Sequence, residues 1–228
     1  MTSRLVTLVC FFMLLAACGG TTRWQDDRQT HIVRSGETLS AIAFRYGKDT
    51  RDLARWNRLG DGSLIYPGQV LRLTPSGKAR PRSTSSTRSR PTGDPRPLPN
   101  IPAQPSPKWS WPTNGRIDVD FGAKPGTGTG VLINGKQGQP IYAAASGRVV
   151  YAGGGLIGYG KLIILKHNDT YLSAYGYNAS LLVKDGEQIR KGQRIATMGE
   201  GPERKPRLHF EIRRNGQPVN PRQHLPQR

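Results

Sequence analysis

The sequence predicts a multidomain chain: a small βααβ module, then a flexible basic linker rich in Pro, Ser and Arg, then an all-β domain. Three observations carry this prediction. Residues 31–73 hold short strand-like ends around two segments of helical period; residues 75–108 nearly lack aliphatic side chains; residues 109–228 are short apolar runs punctuated by Gly and Asn-Asp turns. Lys and Arg number 34 against 15 Asp and Glu, a net charge of +19 that attracts anionic partners.

Residues 1–17 read as a leader. One cation, Arg4, precedes an apolar run over residues 5–15, which is far short of the ~20 residues needed to cross a bilayer. The run closes on Leu15-Ala16-Ala17-Cys18, which resembles a bacterial lipobox and implies a mature chain that begins at Cys18 with its thiol diacylated. Several acyl chains at ~0.8 kcal/mol per buried CH2 make such an anchor effectively permanent. Gly19 after the cysteine resembles lipoproteins sent on to the outer membrane, so residues 18–29 become a lipidated tether facing the periplasm. That compartment holds no chromosome. The positive charge therefore points to lipid headgroups and peptidoglycan carboxylates, not to nucleic acid. Cys10 leaves with the leader and Cys18 carries lipid, so no thiol remains for a disulfide or a thiolate metal site.

Residues 30–74 form the small module. Ile32-Val33 and residues 70–73 read as strands, Leu39, Ile42, Ala43 and Tyr46 recur at helical spacing behind Thr38, and residues 50–57 supply a second short helix. The segments His31-Ile32-Val33-Arg34-Ser35-Gly36-Glu37-Thr38-Leu39, Asp52-Leu53-Ala54-Arg55-Trp56-Asn57 and Ile65-Tyr66-Pro67-Gly68-Gln69-Val70-Leu71 resemble a LysM module. The resemblance implies binding of N-acetylglucosamine-containing peptidoglycan strands between two loops. Here those are Gly36, Glu37, Thr38 and Leu39, and Gly62, Ser63, Leu64 and Ile65. Tyr46 and Trp56 read as core, because so small a module needs its few large side chains.

The linker, residues 75–108, cannot bury enough apolar surface to offset chain entropy. A Pro-rich chain extends at ~3.1 Å per residue, so its reach is on the order of 100 Å.

In the last domain, residues 109–228, strands are expected over 141–144, 147–151, 162–165, 171–175, 194–198 and 208–212, with Asn168-Asp169 turning a hairpin beside His167. The closing strand alternates Leu208, Phe210 and Ile212 with Arg207, His209, Glu211 and Arg213, so His209 is expected to project from a polar face into a groove. No role is expected for His31 or His224.

Trp111-Pro112-Thr113-Asn114-Gly115-Arg116, Gly138-Gln139-Pro140-Ile141-Tyr142-Ala143-Ala144, Gly158-Tyr159-Gly160 and the closing strand resemble the LytM-type zinc endopeptidases of family M23. The resemblance implies a lysostaphin-like all-β fold with a duplicated hybrid motif. It also implies five metal and acid/base positions. The two upstream zinc-ligand positions hold Gly128 and Leu132, the acid/base positions hold Tyr177 and Arg207, and only the last ligand, His209, is kept. Catalytic zinc needs three protein ligands and an open position; glycine and leucine have no donor atoms. The expectation is a domain with no catalytic residues and no cofactor. The loop at residues 199–206, rich in charge and proline where the family is small and polar, reads as a solvated flap.

Lipobox, LysM module, linker and LytM-type domain together resemble envelope lipoproteins that activate periplasmic N-acetylmuramoyl-L-alanine amidases during septal splitting. That resemblance implies that Tyr177, Arg207 and His209 form an amidase-contact groove. Two other readings stay open. An active zinc endopeptidase would recruit Asp118, Asp120 or His167 as replacement ligands, and a passive tether would need only the lipid and the LysM module.

Overall fold

A computed structural model describes residues 29–59, 64–75, 104–125 and 127–227. Cys18, Gly62 and Ser63 lie outside the described residues, as does most of the predicted linker. Among the described residues, no helix is long and apolar enough to cross a membrane.

The small module is β1 (Thr30–Ile32), α1 (Leu39–Arg45), α2 (Thr50–Trp56) and β2 (Val70–Arg72), with β1 and β2 antiparallel. Both helices start on side-chain caps: the Thr38 hydroxyl accepts from the Ala41 amide at 3.1 Å, and Asp49 accepts from the Arg51 amide at 2.8 Å. Val33, Leu39, Ile42, Ala43, Leu53, Ala54, Leu71 and Leu73 form its core, with Tyr46 and Trp56 packed at the margin.

The second domain is one antiparallel sheet. Its strands are β3 (Ile117–Val119), β4 (Val131–Asn134), β5 (Pro140–Tyr142), β6 (Gly147–Gly153), β7 (Lys161–Lys166), β8 (Tyr171–Leu181), β9 (Gln188–Ile189), β10 (Arg194–Met198), β11 (Arg207–Arg214) and β12 (Gln217–Val219). The order is β3-β4-β11-β8-β7-β6-β9, with β12 on β11 and β10 bridging β8 to β5. Strand β11 is therefore central. Leu208, Phe210 and Ile212 enter the core with Val131, Ile133, Ile141 and Tyr175, each burial contributing ~1.5–3 kcal/mol.

One expectation is corrected. The domain's packed edge starts before residue 109: the Gln104 amide donates to Thr170 Oγ1 at 2.8 Å, and Asn168 Nδ2 donates to the Pro105 carbonyl at 3.0 Å. Polar side chains at the Asn168 turn hold this stretch, although it has no aliphatics of its own. The two domains are packed together. Ala41 and Phe44 of α1 share a buried cluster with Tyr151, Leu156, Leu162, Ile164 and Ala174 of the sheet. The approach is close enough that a Cβ at Gly216 would lie 2.4 Å from the Lys48 carbonyl.

Candidate functional site

The β4–β11–β8 ladder brings Leu132, Tyr177, Arg207 and His209 together. His209 pairs with Leu132 on β4 and with Gly176 on β8, Arg207 pairs with Asn134, and Tyr177 follows Gly176 at a left-handed φ of 60°. The Tyr177 ring lies 5.8 Å from the His209 ring, and Tyr159 closes the other side at 5.3 Å.

The polar face of β11 is not an open groove wall. Arg207 is 4% exposed, His209 1%, Glu211 0% and Arg213 3%. Alternation put these four residues on one face, but Tyr159, Tyr177, Thr127, Thr129, the 199–206 flap and α1 cover that face. The result is a buried polar network centred on Glu211. His209 Nε2 bonds Glu211 Oε1 at 2.8 Å, Tyr159 donates to the same oxygen at 3.0 Å, the Thr129 hydroxyl also donates to Oε1, and Arg213 Nε donates to Oε2 at 2.8 Å. Burial alone would raise the Glu211 pKa, but the His209 hydrogen bond, the Arg213 charge and the Thr129 hydroxyl hold it down at about 2. Burial, with the Glu211 charge beside it, pushes the Tyr159 phenol up to about 12 and also raises Tyr177. Sequence reasoning did not single out Glu211, Arg213, Tyr159 or Thr129 as site residues. The run of four polar residues at period two was the available signal.

Arg207 is already paired inside the chain. Its Nη2 lies 2.5 Å from Asp118 Oδ2 and 3.4 Å from Glu203 Oε2, while Nε, Nη1 and His209 Nδ1 have no partner among the described residues. Glu203 sits in the flap, whose Pro202–Arg204 turn places Glu203 and Arg204 at left-handed φ of 60° and 54°. Gly201 of the flap lies against Tyr177 and Arg207, where a Cβ would come within 3.0 Å of the Tyr177 ring. The flap keeps Glu200 and residues 203–205 exposed to solvent, while Glu203 ties it to Arg207 over the site.

Zinc, which the fold family implies, does not fit this donor set. Leu132, 2% exposed, faces His209 across the ladder, Gly128 offers no side chain at a φ of 75°, and His209 Nε2 is engaged by Glu211. The three replacement ligands are dispersed. Asp118 pairs with Arg207 and Asp120 with Arg222 at 2.7 Å, while His167 bonds the Ser146 carbonyl and Ser173 Oγ at 2.8 and 2.7 Å. Among the described residues, no group of three or more His, Cys, Asp or Glu could hold a metal ion.

In the small module, Gly36 is exposed, Glu37, Thr38 and Ile65 are partly buried, and Leu64 is 64% exposed. Leu39 is corrected: at 3% exposure it points into the module core and cannot offer its side chain to a glycan. His31 does have a place. Its Nε2 lies 2.6 Å from Glu37 Oε2 and its Nδ1 3.1 Å from the Tyr46 hydroxyl, so it fixes the carboxylate at the start of the loop. The Arg34 amide and Arg45 Nη1 donate to the same carboxylate at 2.9 and 2.7 Å.

Comparison with known proteins matches residues 126–221 to peptidase family M23 and residues 31–74 to the LysM domain. The chain is 39% identical to the lipoprotein NlpD/LppB homolog of Pseudomonas aeruginosa, covering 87% of this chain and 77% of that protein. It is 37% identical to the murein hydrolase activator NlpD of Escherichia coli, covering 87% and 68%. Among solved structures it is similar to the catalytic domain of lysostaphin from Staphylococcus simulans, at 27% identity and a TM-score of 0.44, covering 48% of this chain and 90% of that one.

Proposed function

The chain belongs to the NlpD/LppB lipoprotein family, and from that premise we propose that it is a noncatalytic, peptidoglycan-binding activator of a periplasmic N-acetylmuramoyl-L-alanine amidase, acting in septal wall splitting and daughter-cell separation. The observation that carries this reading is the Leu132–His209 pairing. Where zinc chemistry needs a carboxylate there is a buried aliphatic, so the M23 fold is kept without its reactive centre.

On this reading the LysM module holds the protein on glycan strands, and lipid at Cys18 holds it on the outer membrane. The M23 domain meets the amidase through the flap and Tyr177, with Arg207 and His209 beneath them. Arg207 cannot serve as a free cation for an incoming carboxylate while Asp118 and Glu203 hold it. Contact with the amidase therefore engages Glu203 and Lys205 on the outside of the flap, or exchanges one of the internal acids for one from the partner. Activation requires that the protein bind the open amidase more tightly than the closed one.

The test is dye release from labelled sacculi by a purified amidase, with and without this protein. A rate that rises with the protein, while the protein alone releases nothing, supports the reading; a rate that does not change sinks it.

A further inference from the structure

The loop that reads as glycan-binding is also tied to the M23 domain. Thr38 Oγ1, the cap of α1, donates to the Val150 carbonyl on β6 at 3.1 Å. Glu37 holds Arg45 at 2.7 Å, and Arg45 Nη2 donates to the Gly155 carbonyl at 3.2 Å. At the other end of the helix, Arg213 Nη1 donates to the Phe44 carbonyl at 2.6 Å, its guanidinium lies 3.4 Å from the Phe44 ring centre, and Gln217 Nε2 donates to the Gly47 carbonyl at 2.5 Å.

Helix α1 is apolar on two sides. Leu39, Ile42 and Ala43 face the LysM core, whereas Ala41 and Phe44 are buried against the sheet of the other domain. A solvated LysM helix would have no reason to carry Phe44, which is 1% exposed here and takes no part in its own module's core. The sheet face formed by Tyr151, Leu156, Leu162 and Ile164 is thus a docking surface, and its occupant is α1.

We propose that glycan binding to the LysM loop and docking of α1 on the M23 sheet oppose each other. A glycan strand that engages the Thr38 hydroxyl takes it from Val150, one of the ties that hold the module down, and one that engages the Glu37 carboxylate releases Arg45, which that carboxylate steadies against Gly155. The linkage is reciprocal: whatever weakens docking strengthens glycan binding by the same factor. Undocking also uncovers Arg213 and the Tyr159 side of the network around His209, so attachment to the wall would open the face beside the amidase-contact region. This inference rests on the glycan-binding reading of the module.

The test uses the full mature chain, the N-acetylglucosamine tetramer as ligand, and two variants that loosen the interface from opposite sides, Phe44→Ala and Leu156→Ala, neither of them in the glycan loop. Spin labels at Arg55→Cys and Lys184→Cys report the distance between the domains. The expected result is a longer, broader distance on adding tetramer and tetramer affinity raised about fivefold or more in both variants. A distance unchanged at saturation, or equal affinities in parent and variants, overturns the linkage. If the parent and both variants bind no tetramer at all, the glycan reading itself fails and the linkage falls with it.

Discussion

Leu132 and His209 stand opposite one another in the β4–β11 ladder, both buried, with the imidazole turned to Glu211. A metal at that point would have to displace a carboxylate from His209 and would gain no ligand from β4. Protein purified without chelator is therefore expected to carry no stoichiometric zinc and to release no muropeptides from sacculi. Metal analysis showing one zinc per chain, with muropeptide release that chelator stops, would contradict this.

Arg207 is a buried cation held by Asp118 and Glu203. Both acids are partly exposed and can be solvated when the cation is removed, so Arg207→Ala is expected to cost about 1–3 kcal/mol, less than breaking a fully buried pair. Arg207→Glu places a third carboxylate there and should be worse. Chemical denaturation measures both. Equal midpoints for parent and Arg207→Ala would show that the pair does not hold the flap.

Glu211 gives a pH dependence with a defined sign. Its pKa falls from 4.5 in the unfolded chain to about 2 in the folded one. The stability it contributes is thus fully present above pH 4.5 and is lost as pH falls toward 2. In Glu211→Gln this acid limb should flatten between pH 4.5 and 2, read from melting temperature against pH.

Burial lowers the His167 pKa from 6.5 to about 4, against the opposing pull of the Ser146 carbonyl, whose hydrogen bond favours the charged ring. The unfolded chain takes up a proton below pH 6.5 that the folded chain refuses until about 4. Stability should therefore fall across that window as pH drops, by at most about 1.4 kcal/mol per pH unit. His167→Asn should be less stable at neutral pH but show a shallower decline. An identical slope in the variant would assign the decline to other groups.

The Leu15-Ala16-Ala17-Cys18 segment predicts that the native mature chain begins at an acylated Cys18. Mass spectrometry of the membrane-extracted protein reads this directly, and Cys18→Ala should accumulate as uncleaved precursor. An unmodified cysteine in the native protein would remove the lipid anchor from the account.

Much of the fold was legible because period and punctuation carry it. Alternation in β11 separated Leu208, Phe210 and Ile212 from their polar neighbours, and the Thr38 cap with Leu39, Ile42 and Ala43 marked α1. Strand β4 escaped because Val131-Leu132-Ile133 is a continuous apolar run without alternation, buried throughout. The surroundings of Tyr177, Arg207 and His209 were not legible. Nothing local in sequence says that Phe44 would cover Arg213, or that Asp118 would neutralise Arg207, since these partners are far apart along the chain. Two-sided burial of the polar strand is a product of tertiary packing, and reading β11 alone gives it a solvent face it does not have.

On the proposed function, this M23 domain acts on an enzyme rather than on the wall. The most direct measurement is dye release from labelled sacculi with the full mature protein alone, a purified amidase alone, and both together. The expected result is no release from the protein alone and, with both present, release well above the amidase-only rate. Release by the protein alone, or an amidase rate that its addition leaves unchanged, would contradict it.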